Sequence, residues 1–156
     1  DPGNAKLWIA HGDAMLGAGD KSACATCHPA NSSGATLAAQ MLTSIDKLKI
    51  SYETAQKVLG NAEHAGMEVS QALFELNDAK TALIKARAAI HGFDKAILDK
   101  EVEPGLKVAE KAQARGGKAL DELQFRRKGL AISALIIVAL IVGLILKIRQ
   151  MERRAK

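Results

Sequence analysis

The sequence predicts an all-α protein: a small N-terminal segment, then a long helical hairpin or bundle, then one C-terminal transmembrane helix. Three observations carry this. Apolar residues make up 48% of the 156 residues while aromatics make up 3%, and the apolar share is mostly Ala and Leu, which favour helix. From residue 36 to 101 the apolar positions recur at steps of three and four. Near the C-terminus, GLAISALIIVALIVGLIL (129–146) holds no charge. So little aromatic area argues against a β-sandwich, a β-barrel or a parallel-sheet enzyme. The chain starts at Asp1 without Met, as a processed chain or a piece of a longer one does.

The first unit, 1–35, carries the chemistry. Cys24-Ala25-Thr26-Cys27-His28 has the C-x-x-C-H spacing of covalent haem c attachment. Two thiols three positions apart can add to the two vinyl groups of one porphyrin edge, and His28 then offers its imidazole to the iron. A thioredoxin-like site would need a strand before it and a helix after it. A zinc site would need a fourth ligand. A Cys24–Cys27 disulfide would close a strained small loop. The expected cofactor is one covalent haem c per chain, with Cys24, Cys27 and His28 as its attachment residues. For the sixth iron position the candidates are His11, His64, His91, Met15, Met41 and Met67. His11 stands first, because a flexible loop, Gly17-Ala18-Gly19-Asp20, lies between it and the motif. Two imidazoles give a low-potential haem and methionine raises the potential. His91 is the alternative. Its helical neighbours Ile84, Ala88 and Leu98 place it on an apolar side, where a hydrogen-bonded core histidine is the commoner outcome. The methionines at helical spacing read as core fillers.

The second unit, 36–103, is helical. Met41, Ile45, Leu48, Tyr52, Ala55 and Leu59 form one seam, and Val69, Leu73, Leu76, Leu83, Ile90 and Ile97 keep nearly its phase. Glu53 and Lys57 are spaced to pair. Gly60-Asn61 is the expected turn between two helices, because both residues suit the left-handed position after a helix. The alternative is a single rod over 36–100, because the seam crosses 60–61 almost unshifted. With the turn, a helix over 62–100 would be ~58 Å long and would overshoot into the headgroups unless it tilts, breaks near Gly66 or pairs along only part of its length. A second break is expected at Asp99–Gly105, with Pro104 in the first turn of a new helix. That helix, 104–128, leads to the membrane, rising ~37 Å. Glu103–Lys107 and Glu122–Arg126 are spaced to pair, and Ala112, Gly116 and Ala119 are small enough to let a neighbouring helix approach.

The third unit is a transmembrane helix over 129–148, near the ~20 residues a bilayer crossing needs. It contains no ionisable residue before Lys147, so it reads as an anchor without an ion path. The flank after it carries Lys147, Arg149, Arg153, Arg154 and Lys156 against Glu152. The flank before it carries Arg126, Arg127 and Lys128 with Asp121 and Glu122. That asymmetry predicts a cytoplasmic tail at 149–156 and a periplasmic N-terminal bulk.

With these pieces in view, the chain resembles the C-terminal, membrane-anchored portion of bacterial multihaem c-type cytochromes. The matching pieces are Met15-Leu16-Gly17 ahead of Cys24-Ala25-Thr26-Cys27-His28, then Ala86-Arg87-Ala88-Ala89-Ile90-His91, then Phe125-Arg126-Arg127-Lys128-Gly129-Leu130. The chain departs from that pattern in having a single C-x-x-C-H. The resemblance implies electron relay between a membrane quinol-linked donor and periplasmic or extracellular acceptors. It implies other cytochrome or membrane redox subunits as partners, beside the lipid bilayer. The thin, Ala-rich seam suggests docking on such subunits or on a second copy. Two rivals are a haem-based sensor and a structural anchor subunit of a larger cytochrome complex. No acid–base pair, nucleophile arrangement or phosphate loop suggests an enzyme, and no aromatic interleaving of the basic residues suggests nucleic-acid binding.

Overall fold

The structure is a computed structural model that describes residue 29 and residues 31–155. It is all-helical, with no strand among the described residues. Three helices follow in order: α1 (Ser33–His64), α2 (Ser70–Ala89) and α3 (Lys95–Ala155), with a 3-10 turn at Ile90–Gly92 between the last two.

α1 starts where Ser32 offers its hydroxyl oxygen to the Ala35 N–H at 3.2 Å, as an N-cap does. It continues through Gly60 and Asn61, where a turn was expected, and ends at His64, four residues after Gly60. The Gly66 N–H donates to the Glu63 carbonyl at 2.8 Å, and the Met67 N–H donates to the Ala62 carbonyl at 3.0 Å. Gly66 takes φ +81°. This is the Schellman closure, which satisfies the last carbonyls of the helix through a left-handed residue. Burial decides between the two glycines. Ala62 is fully buried and prolongs the seam of Ala55 and Leu59 by another turn. Leaving the helix at Gly60 would forfeit that contact.

α2 runs antiparallel to α1. Glu68 accepts from the Ser70 N–H at 3.1 Å and from its hydroxyl, tying the entry to the helix. At its far end Phe93 adopts φ 49°, and Asp94 then caps α3 by accepting from the Ala96 N–H at 2.8 Å. This turn, and not Asp99–Gly105, is the second break. Pro104 therefore lies inside α3, nine residues after Lys95. A proline there removes one donor and crowds the preceding turn. Leu98 and Val102, both buried, hold that turn against the core, while Pro104 itself is exposed. Restarting the helical phase at Asp94 also moves Ile97 out of the seam, leaving it 50% exposed with Leu98 buried in its place.

α3 runs parallel to α1, and α2 fills the space beside both. One core cluster, with Met41, Ile45, Leu48, Leu83, Ile90, Leu98 and Val102, occupies the end where α1 begins, here called the head. A second, nearer the α1–α2 turn, has Ala55, Ala62, Ala72, Ala79, Ala109 and Ala112 among its nine members. The Ala-rich seam is thus buried between helices of the same chain. Small residues let the backbones close up: an ideal Cβ on Gly105 would lie 2.7 Å from the Ala82 Cβ and 2.9 Å from Leu48 Cδ1.

Below the bundle α3 stands alone. From residue 124 onward every described side chain is exposed. Within this stretch lies an 18-residue window of mean hydropathy 3.0, none of it buried, so α3 is long and apolar enough to cross a membrane. Residues 95–128 rise about 51 Å above the start of the apolar run, more than the ~37 Å expected from a helix beginning at Pro104. The overshoot problem disappears. α2 is only about 30 Å long, and Met67 at the α1–α2 turn packs in the same cluster as Leu120, short of Gly129.

Candidate functional site

Cys24, Cys27, His28, His11 and Met15 lie outside the described residues, so the C-x-x-C-H motif stands on its sequence and its place in the chain. Two thiols and an adjacent imidazole are the donor set that covalent haem requires. The motif ends five residues before Ser33, the first residue of α1. The chain therefore enters the bundle at the head.

The described candidates for the sixth ligand are sorted by the fold. Met41 is fully buried in the head cluster, and Met67 is half-buried against the other cluster. Both serve as packing residues, in line with their helical spacing. His64 is the last residue of α1 and sits at the end opposite the head. At 1.5 Å per residue it is about 47 Å along the helix from Ser33. His91 belongs to the 3-10 turn that closes the head.

The antiparallel hairpin thus places His91 at the end of the bundle where the residues following His28 enter. One expectation about His91 is overturned. It does not face an apolar interior: His91, Ile84 and Ala88 lie on the outer side of α2 and its turn, all exposed. The buried side of α2 is Ala72, Leu76, Ala79, Leu83 and Ala86, which runs into Ile90. His91 follows Ile90 by one residue, and a step of about 100° turns it outward. Phe93 is exposed in the same turn.

Polar interactions elsewhere are structural. Glu75 accepts from Lys111 Nζ at 3.0 Å, Arg115 Nη1 at 2.9 Å and Gln71 Nε2 at 3.1 Å, joining α2 to α3. These bonds, that from Gln71 first, hold its carboxyl down to a pKa of about 2. Sequence reasoning missed this link, because its partners lie 36 and 40 residues apart. Of the pairs expected from spacing, Glu122–Arg126 forms. Ser44 donates to Asp99 at 3.4 Å, and Asp99 also pairs with Lys95, tying the start of α3 to α1.

Two shallow surface grooves flank the helices. One of about 550 Å³ includes Thr43, Lys47, Ile50 and Gln113. The other, about 290 Å³, includes Asp78, Lys85 and Glu101. Among the described residues no group of three or more His, Cys, Asp or Glu side chains could hold a metal ion. What the described part can do is hold the two ends of the molecule apart at a set spacing.

The chain matches no family model, no curated protein and no solved structure.

Proposed function

We propose that the chain is a membrane-anchored c-type cytochrome subunit that relays electrons between a membrane quinol-linked donor and periplasmic or extracellular acceptors. The single observation that carries this is Cys24-Ala25-Thr26-Cys27-His28, placed directly ahead of a helical stalk that ends in an exposed apolar helix. The sulfurs of Cys24 and Cys27 hold the porphyrin edge, and the His28 imidazole binds the iron. His11 would supply a second imidazole to the iron, with His91 as the alternative. When bound, the haem supplies a one-electron iron couple.

The anchor and its charge asymmetry support a periplasmic bulk and a cytoplasmic C-terminal tail. Haem c is attached on that outer side of an energy-transducing membrane, so two independent features of the sequence agree. The helical bundle supports the reading as a spacer. It fixes the head about 50 Å from the apolar run. Exposed surface on the bundle leaves room for other redox subunits or a second copy.

The test is the mass and spectrum of the chain expressed in a host that matures c-type cytochromes. The expected result is a chain one haem heavier than its sequence, with an alkaline pyridine spectrum of the two-thioether type. A bare polypeptide mass would overturn the proposal.

A further inference from the structure

The tail beyond the apolar run has more order than its charge count reveals. α3 continues unbroken to Ala155, so Lys147, Arg149, Arg153 and Arg154 are carried on a helix. At 100° per residue Ile148 and Met151 share one side, where they are 51% and 54% exposed. Arg149 and Arg153 are one turn apart on nearly the opposite side. The apolar surface therefore does not end at Leu146. It continues for a turn along one side while Arg149 and Arg153 take the other and Lys147 and Arg154 flank Met151.

A helix standing upright would lift Met151 out of the hydrocarbon. Tilting toward the Ile148–Met151 side returns both residues to the acyl boundary. The long stems of Arg149 and Arg153 then reach outward to the level of the lipid phosphates. Guanidinium groups suit that site, because each can donate two parallel hydrogen bonds to phosphate oxygens. The other flank of the apolar run is poorer. Arg126 is already paired with Glu122, which leaves Arg127 and Lys128.

We propose that Arg149 and Arg153 form a binding surface for anionic phospholipid headgroups in the leaflet that the C-terminal end of the apolar helix enters. The inference rests on the membrane-anchor part of the proposed function and is independent of the haem.

The full chain is reconstituted into phosphatidylcholine vesicles containing a trace of spin-labelled phosphatidylglycerol or, separately, spin-labelled phosphatidylcholine. The fraction of label immobilised by protein is read by paramagnetic resonance. A roughly five-fold preference for phosphatidylglycerol at low salt is expected, from even one well-placed cation at the membrane surface. It falls as salt screens the charges, and the double variant R149Q/R153Q loses most of it. Protein that floats with the vesicles but immobilises both labels equally would overturn this inference and leave the anchor standing. A preference removed by R126Q/R127Q and kept in R149Q/R153Q would overturn it too. Failure to float with vesicles of either composition would overturn the anchor and this inference together.

Discussion

Gly116 of α3 sits against Leu59 of α1 so closely that an ideal Cβ on Gly116 would lie 3.3 Å from the Leu59 backbone nitrogen, 3.2 Å from its Cδ2 and 2.8 Å from Val58 Cγ1. The parallel pair α1 and α3 is in backbone contact there, and the backbone side of that contact cannot rotate away. Gly116→Ala is therefore expected to destabilise the bundle by about 1–3 kcal/mol, the usual cost of overpacking. Gly117 next to it has open space. Gly117→Ala should be neutral or stabilising by up to about 1 kcal/mol, through helix propensity alone. Thermal unfolding of the two variants, followed by helical circular dichroism, checks the contrast. Equal melting temperatures would remove the close approach.

The position of the α1–α2 turn gives a second pair. Gly60 is helical with nothing around its missing Cβ, whereas Gly66 holds φ +81°. Gly60→Ala should raise stability by roughly 0.5–1 kcal/mol. Gly66→Ala should lower it by about 1–2 kcal/mol, because an L side chain resists the left-handed conformation. Reversed signs in denaturant titrations would place the turn at Gly60.

At the other turn, Asp94 accepts from the Ala96 N–H at 2.8 Å and caps the longest helix. Asp94→Ala should cost about 0.5–2 kcal/mol, and Asp94→Asn much less, because the amide oxygen can still accept. Chemical denaturation of the two variants would show no difference if the cap were unimportant.

Glu75 sets a pH dependence. Its folded pKa, about 2, lies below the ordinary carboxyl value of 4.5 that the unfolded chain keeps. The unfolded state thus binds the proton first as pH falls, so the contribution is fully present above about pH 4.5 and is lost on descending toward pH 2. The stability gap between wild type and Glu75→Gln should be steady from pH 7 to 5 and should narrow below that. A gap independent of pH down to 2 would show that Lys111 and Arg115 do not hold the charged form.

The proposed haem ligation is tested by spectroscopy of the chain matured with haem. His11→Ala is expected to convert a low-spin, two-imidazole spectrum to high-spin, with His91→Ala leaving it unchanged. The opposite pattern would transfer the ligand role to His91, which the hairpin carries to the head. An unchanged spectrum in both variants would exclude both residues.

Periodicity alone was enough for the helices and for most of the core. Met41, Ile45, Leu48, Leu59, Leu76 and Leu83 are buried as their spacing requires, because a 3.6-residue repeat is a local property that burial then exploits. The apolar run and its basic flanks were equally legible, since hydropathy needs no partner to be read. The C-x-x-C-H motif is likewise written in consecutive residues. Local signals failed at the breaks. Gly60-Asn61 and Pro104 are good punctuation by composition, yet Ala62 on one side and Leu98 with Val102 on the other are buried only because helices distant in sequence supply the opposite wall. That packing outweighed the breakers and moved both turns. The same cause turned His91 and Ile97 outward, joined Glu75 to residues 36 and 40 positions away, and brought His91 to the end where α1 begins. The order of residues determined which segments are helical and where the long apolar run lies. Tertiary structure decided where the helices stop and which ends meet, because those outcomes depend on contacts that no single segment contains.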